Sequence, residues 1–135
     1  MAGYTRTQTL IALALAAAPA VYRYALDRFT DPEMPILREK QLGISFEELK
    51  NEIYNVVYEF DNKYETEEFL DDPETAALLG YAVAVEAMKR LYREKTARRL
   101  AGMGGMEYFK DCVAIFEGGM DEFLDEIHDA LITVP

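Results

Sequence analysis

Residues 9–26 read TLIALALAAAPAVYRYAL, from Thr9 to Leu26, with one charged side chain, Arg23, and one proline, Pro19. Ala and Leu are the strongest helix formers, and no β-branched run interrupts Leu10 to Ala20, so the stretch predicts a helix. Its first half, Leu10 to Ala18, is apolar on nearly every side. Such a helix is stable in water only when other helices cover it, from the same chain or from neighbouring copies. The second half is amphipathic: Val21, Tyr22, Ala25, Leu26 and Phe29 keep a helical spacing, while Arg23, Asp27 and Arg28 make a polar stripe. Pro19 lacks the N–H that a helix uses, which predicts a kink there or a break between two shorter helices. The small side chains from Leu10 to Ala18 permit close helix approach.

The same stretch has two other readings. Arg6, the apolar run and Ala18-Pro19-Ala20 follow the order of a signal peptide's charged, apolar and cleavage regions. As a membrane span the run falls short of the usual ~20 residues, and Arg23 and Pro19 interrupt its apolar character. The expectation is therefore a buried or intersubunit helix in a chain that is cytoplasmic or part of a particle, and not secreted. Leu10, Ile11, Leu13, Ala14, Leu15, Ala18, Val21 and Tyr22 are its candidate assembly residues, burying against the core or a partner chain.

Outward from this helix, Asp31-Pro32 and Met34-Pro35 cannot continue a helix, so residues 31–43 form an ordered connector, an interhelical loop or an arm between subunits. Ser45-Phe46-Glu47-Glu48 then spells a capping box, with Ser45 as N-cap and Glu48 three residues on, and Ile44 and Leu49 are placed as a hydrophobic staple. Phe46, Leu49, Ile53, Val56, Val57, Phe60 and Tyr64 carry that helix's apolar face to an end near residues 63–65. Asp72-Pro73 reads as N-cap and first helical residue of the next helix, which runs towards Leu100 and is stopped by Gly102, Gly104 and Gly105. Met106 to Glu117 and Asp121 to Thr133 read as two shorter helices broken at Gly118-Gly119, or as one bent helix if the glycines only bend the chain. No strand pattern competes. The predicted fold is all-α, a four-helix bundle over residues 1–135 as a single domain, with 1–30 the apolar N-terminal helix and 31–43 the connector.

Composition limits what this bundle can do. Half of the residues are hydrophobic, with nine Tyr, seven Phe and no Trp, which excludes a disordered chain. Cys112 is the lone cysteine, flanked by Val113 and Ala114, and reads as a buried thiol. The net charge of −11 is unevenly spread: residues 41–75 hold eleven acids against two bases, residues 76–104 six bases against two acids, and residues 105–135 eight acids against one base. Overall acidity opposes wrapping nucleic acid with the whole surface, and the alternation of sign suits subunits that meet basic face to acidic face.

Candidate chemistry is sparse. Lys89, Arg90, Arg93, Lys95, Arg98 and Arg99 form a basic cluster, able to meet phosphates or acidic helices of the same or a neighbouring chain. Glu48 with Glu52, and Glu122 with Glu126, each share a helix face. Glu122-Phe123-Leu124-Asp125 is similar to the second acidic pair of the four-helix nucleotide pyrophosphohydrolases of the MazG type. That resemblance implies Mg²⁺ held between two helices. The first pair is missing, since Asn51 stands three residues after Glu48. Asp125 and His128 have an acid-x-x-His spacing, but a di-iron bundle needs that motif twice and His128 is the only histidine. No Gly-rich phosphate loop and no zinc cysteines occur, and no cofactor is expected.

The parts taken together, the apolar helix TLIALALAAAPAVYRYAL, the connector DPEMP and an all-helical remainder, resemble the small coat proteins of archaeal tailed spindle-shaped viruses. The similarity is one of pattern and spans the chain. It implies a four-helix virion building block, without catalytic activity or small-molecule substrate, that assembles with copies of itself and touches lipid or nucleic acid inside a particle. The acidity departs from a coat that wraps DNA, which implies a protein shell rather than a nucleoprotein filament.

Overall fold

The computed structural model describes residues 6–31, 33–63 and 72–132. The described residues are helical with no strands: α1 (Arg6–Phe29), a short 3₁₀ turn at Pro35–Leu37, α2 (Arg38–Leu42), α3 (Phe46–Lys63), α4 (Pro73–Gly102), a second 3₁₀ turn at Met106–Tyr108, and α5 (Phe109–Ile132). Four long helices pack together and α2 is an added short one. Tyr64 and the acidic residues from Glu65 to Asp71 lie outside the described residues.

α1 and α4 run parallel and form the most extensive contact, with α3 and α5 antiparallel to both. Leu13 of α1 meets Gly80 of α4, Phe29 meets Phe116 of α5, and Tyr22 meets Phe46 of α3. In the α1–α4 seam, small buried residues flank the approach of Leu13 to Gly80 on both helices: Ala14, Ala17 and Ala18 of α1, and Ala76, Ala84 and Ala87 of α4 at helical spacing from Gly80. A Cβ on Gly80 would lie 2.8 Å from the carbonyl carbon and oxygen of Leu13, so the seam is closed to the point of backbone contact. α4 packs against α1, α5 and α3, and α1 in turn meets all three other long helices, α5 least extensively. Buried Val83, Ala84, Val85, Ala87 and Met88 accordingly point in several directions rather than along one stripe.

α1 continues unbroken through Pro19. The proline faces solvent, where water can serve the carbonyl that loses its helical donor, so the helix is not divided there. By length and composition α1 could cross a membrane; in this fold its inner side, from Leu10 to Ala25, lies in the core.

The connector folds back on its own chain. Arg38 reaches Asp27 and the Thr30 hydroxyl, the Asp31 N–H donates to Gln41 Oε1 at 2.9 Å, and Leu42 and Ile44 are buried. Gly43 closes α2 with φ of 76°, a left-handed conformation that glycine adopts without strain. The capping box of α3 forms as its sequence dictates: the Glu48 N–H donates to Ser45 Oγ at 3.1 Å and the Ser45 N–H donates to Glu48 Oε1 at 3.0 Å. Ile44 and Leu49 are buried beside it. Asp72 caps α4 by accepting from the Glu74 N–H, with Pro73 as the first helical residue.

Of the two readings of the C-terminal segment, one helix rather than two forms, α5, because a glycine pair costs helix stability without ending a helix whose other side chains are packed. Gly119 has a tertiary reason: the tip of the Phe29 ring lies 2.5 Å from where its Cβ would be. Residues Met106–Tyr108 form a 3₁₀ turn ahead of that helix instead of its first turn. Cys112, expected to be buried, is half-buried, on a part of α5 whose outer side faces solvent.

Candidate functional site at one end of the bundle

The topology gathers five features at one end of the molecule: the end of α1, the connector with α2, the start of α3, the end of α4 and the start of α5. Tyr22 ties the first three together. Its hydroxyl oxygen lies 2.6 Å from the Ile44 carbonyl and 3.1 Å from Glu39 Oε1, the two acceptors for its one proton. Burial and the neighbouring Glu39 carboxylate hold this phenol neutral well above the usual tyrosine range.

Most of the basic cluster on α4 is spent inside the chain. Lys89 pairs with Asp121 and Arg93 with Glu117 of α5; Arg90 pairs with Glu59 of α3 at 2.6 Å and with Glu86; Lys95 pairs with Glu48; Arg98 pairs with Glu94 at 2.6 Å. Arg99 has no acidic partner among the described residues, and neither do Lys40 and Lys110. The hydrogen bond from Lys95, with a second from the Ser45 backbone, holds the Glu48 carboxyl below the ordinary carboxylate range.

The acidic pairs are not brought together. Glu48 lies on α3 and is engaged by Lys95 and Ser45, while Glu122 lies on α5 and pairs with Arg28 of α1 at 2.8 Å. Glu52 accepts from Asn55 on its own helix. Asp125 and Glu126 face solvent, and His128 is exposed beside Asp129. Among the described residues no group of three or more His, Cys, Asp or Glu converges as a metal site would.

Of the eight α1 residues named as assembly candidates, Leu10, Ala14, Ala18, Val21 and Tyr22 are buried within this chain, and Ile11, Leu13 and Leu15 are half-buried. The exposed residues of α1 are Gln8, Ala12, Ala16, Pro19, Ala20, Arg23, Asp27 and Arg28.

Sequence reasoning missed the exposed apolar residues at the gathered end. Ile36 is 95% exposed and Met103 76% exposed; Met34, Leu37, Met106 and Tyr108 are also exposed there. The signal lay in the turns: a solvated turn does not need Ile, Met or Tyr, and here both the connector and the α4–α5 turn carry them. No protein-family model, no curated protein and no solved structure matches this chain.

Proposed function

We propose that this chain is a self-assembling structural protein, a coat subunit whose copies meet through the apolar end of the bundle. The observation that carries this reading is the concentration of Met34, Ile36, Leu37, Met103, Met106 and Tyr108, all exposed, at one end of a molecule whose helix faces are dressed with ion pairs. Exposed apolar side chains gathered at one end mark an interaction site. The occupant is a second copy. Among the described residues Lys40, Arg99 and Lys110 at this end have no acidic partner, and Glu33, Glu107 and Asp111 at the same end have no cationic one, so two copies meeting end to end bring both signs to one contact. Such a contact of like end with like end is isologous. The virion role rests on the resemblance to the tailed spindle-shaped virus coats. Contact through Leu10, Ala14, Ala18, Val21 or Tyr22 is not part of the proposal, because the chain's own core uses those side chains.

Oriented cross-linking tests it. In a Cys112→Ser background, chains carrying Met103→Cys are mixed with chains carrying Glu126→Cys and oxidised. Contact through the apolar end predicts Met103→Cys homodimers in excess over mixed dimers and Glu126→Cys homodimers. Mixed or Glu126→Cys dimers in equal or greater yield, or no cross-linking at any concentration, would contradict it.

A further inference from the structure

A cavity of about 210 Å³ lies between α2 and the last turns of α4. Lys40, Gly43, Tyr92, Lys95, Thr96 and Arg99 are in its lining. Lys40 and Arg99, neither with an acidic partner among the described residues, both line it, in a chain where acids far outnumber bases. Thr96 is the one buried polar residue among those described, 3% exposed, and its hydroxyl has no hydrogen-bond partner among them. A buried hydroxyl left unpaired is costly, so its place in a wall of the cavity calls for a ligand oxygen. Lys95 is shared with Glu48, which leaves Lys40 and Arg99 to supply uncompensated charge. The α4 carbonyls near this end are capped: the Met103 and Gly105 N–H groups donate to Leu100 O and the Gly104 N–H to Ala101 O, which blunts the negative pole of the helix.

We propose that this pocket binds the phosphate group of a small anion, with Lys40 and Arg99 as charge partners and the Thr96 hydroxyl as a further hydrogen-bond donor. The volume is below the roughly 300–1,000 Å³ of sites for drug-sized ligands, so it suits a phosphate group and little more. A net charge of −11 repels an extended polyanion while admitting a single phosphate at one cationic point. The inference does not depend on self-assembly.

The test is calorimetric titration of the dilute full chain with inorganic phosphate at constant ionic strength, with amide NMR shifts locating the response. The parent binds saturably, and shifts concentrate at residues 40–43 and 92–99. Lys40→Gln/Arg99→Gln, both at exposed positions, weakens binding about tenfold or more, while Lys110→Gln leaves it unchanged. Thr96→Val weakens binding several-fold while the melting temperature holds or rises, because an unsatisfied hydroxyl leaves the interior. A short oligothymidylate is the second probe. If it binds more tightly than inorganic phosphate and loses that binding in the double variant, the phosphate belongs to a nucleic-acid backbone; if only inorganic phosphate binds, the ligand is a free anion. A parent that binds neither, or a double variant that binds as the parent does, overturns the proposal.

Discussion

Gly80 and Tyr22 each hold a position that no similar residue can fill. At Gly80 the place of a Cβ is taken by the backbone of Leu13, which cannot swing aside as a side-chain tip can. Gly80→Ala is expected to destabilise by about 1–3 kcal/mol or more, as overpacking does. Gly118 is a helical glycine with nothing within 4 Å, so Gly118→Ala is expected to stabilise by about 0.5–1 kcal/mol through helix propensity alone. Urea unfolding of the two variants beside the parent checks both signs, and a neutral Gly80→Ala would contradict the α1–α4 seam. Tyr22→Phe keeps the ring on Phe46 but leaves the Ile44 carbonyl without its donor. The expected loss is about 1–3 kcal/mol, read from the same unfolding curves.

At the scale of the element, α3 is the helix whose start is written locally, and its cap makes a pH prediction. Glu48 has a folded-state pKa below its unfolded value, set first by the Lys95 hydrogen bond and then by the Ser45 backbone. Its contribution is therefore present above the unfolded carboxylate range and is lost as pH falls through the folded pKa. The stability gap between the parent and Glu48→Gln should be widest near pH 7 and shrink as pH is lowered below about 4; a gap independent of pH would contradict the ion pair. Ser45→Ala should cost about 1 kcal/mol. The capping box was legible because all its partners lie within four residues. The continuity of α5 was not, because the reason for Gly119 is Phe29, on a different helix. α4 likewise hid its central place: apolar residues on several sides give no single face to read, and α1 drew attention through its length of Ala and Leu instead.

For the whole molecule, the alternation of charge along the chain resolves largely into pairing between helices. Four of the six bases of α4, Lys89, Arg90, Arg93 and Lys95, are answered by acids of α3 and α5, pairings that sequence could not supply for a cluster it could place on one helix. Lys40, Arg99 and Lys110, which have no acidic partner among the described residues, lie at one end of the bundle together with Glu33, Glu107 and Asp111, and exposed apolar residues stand there with them. Fold class and most helix boundaries followed from local pattern. The surface that distinguishes one end from the other comes from the parallel run of α1 and α4, a relation between distant segments that periodicity does not encode.

Solution mass as a function of concentration is the measurement to make, by sedimentation velocity on the parent and on Ile36→Glu/Met103→Glu. Both positions are largely exposed, so the variant keeps its fold, which circular dichroism verifies. Self-assembly through the apolar end predicts that the parent grows into larger species with concentration while the variant stays a folded monomer. A parent that remains monomeric throughout, or a variant that assembles as the parent does, would contradict it.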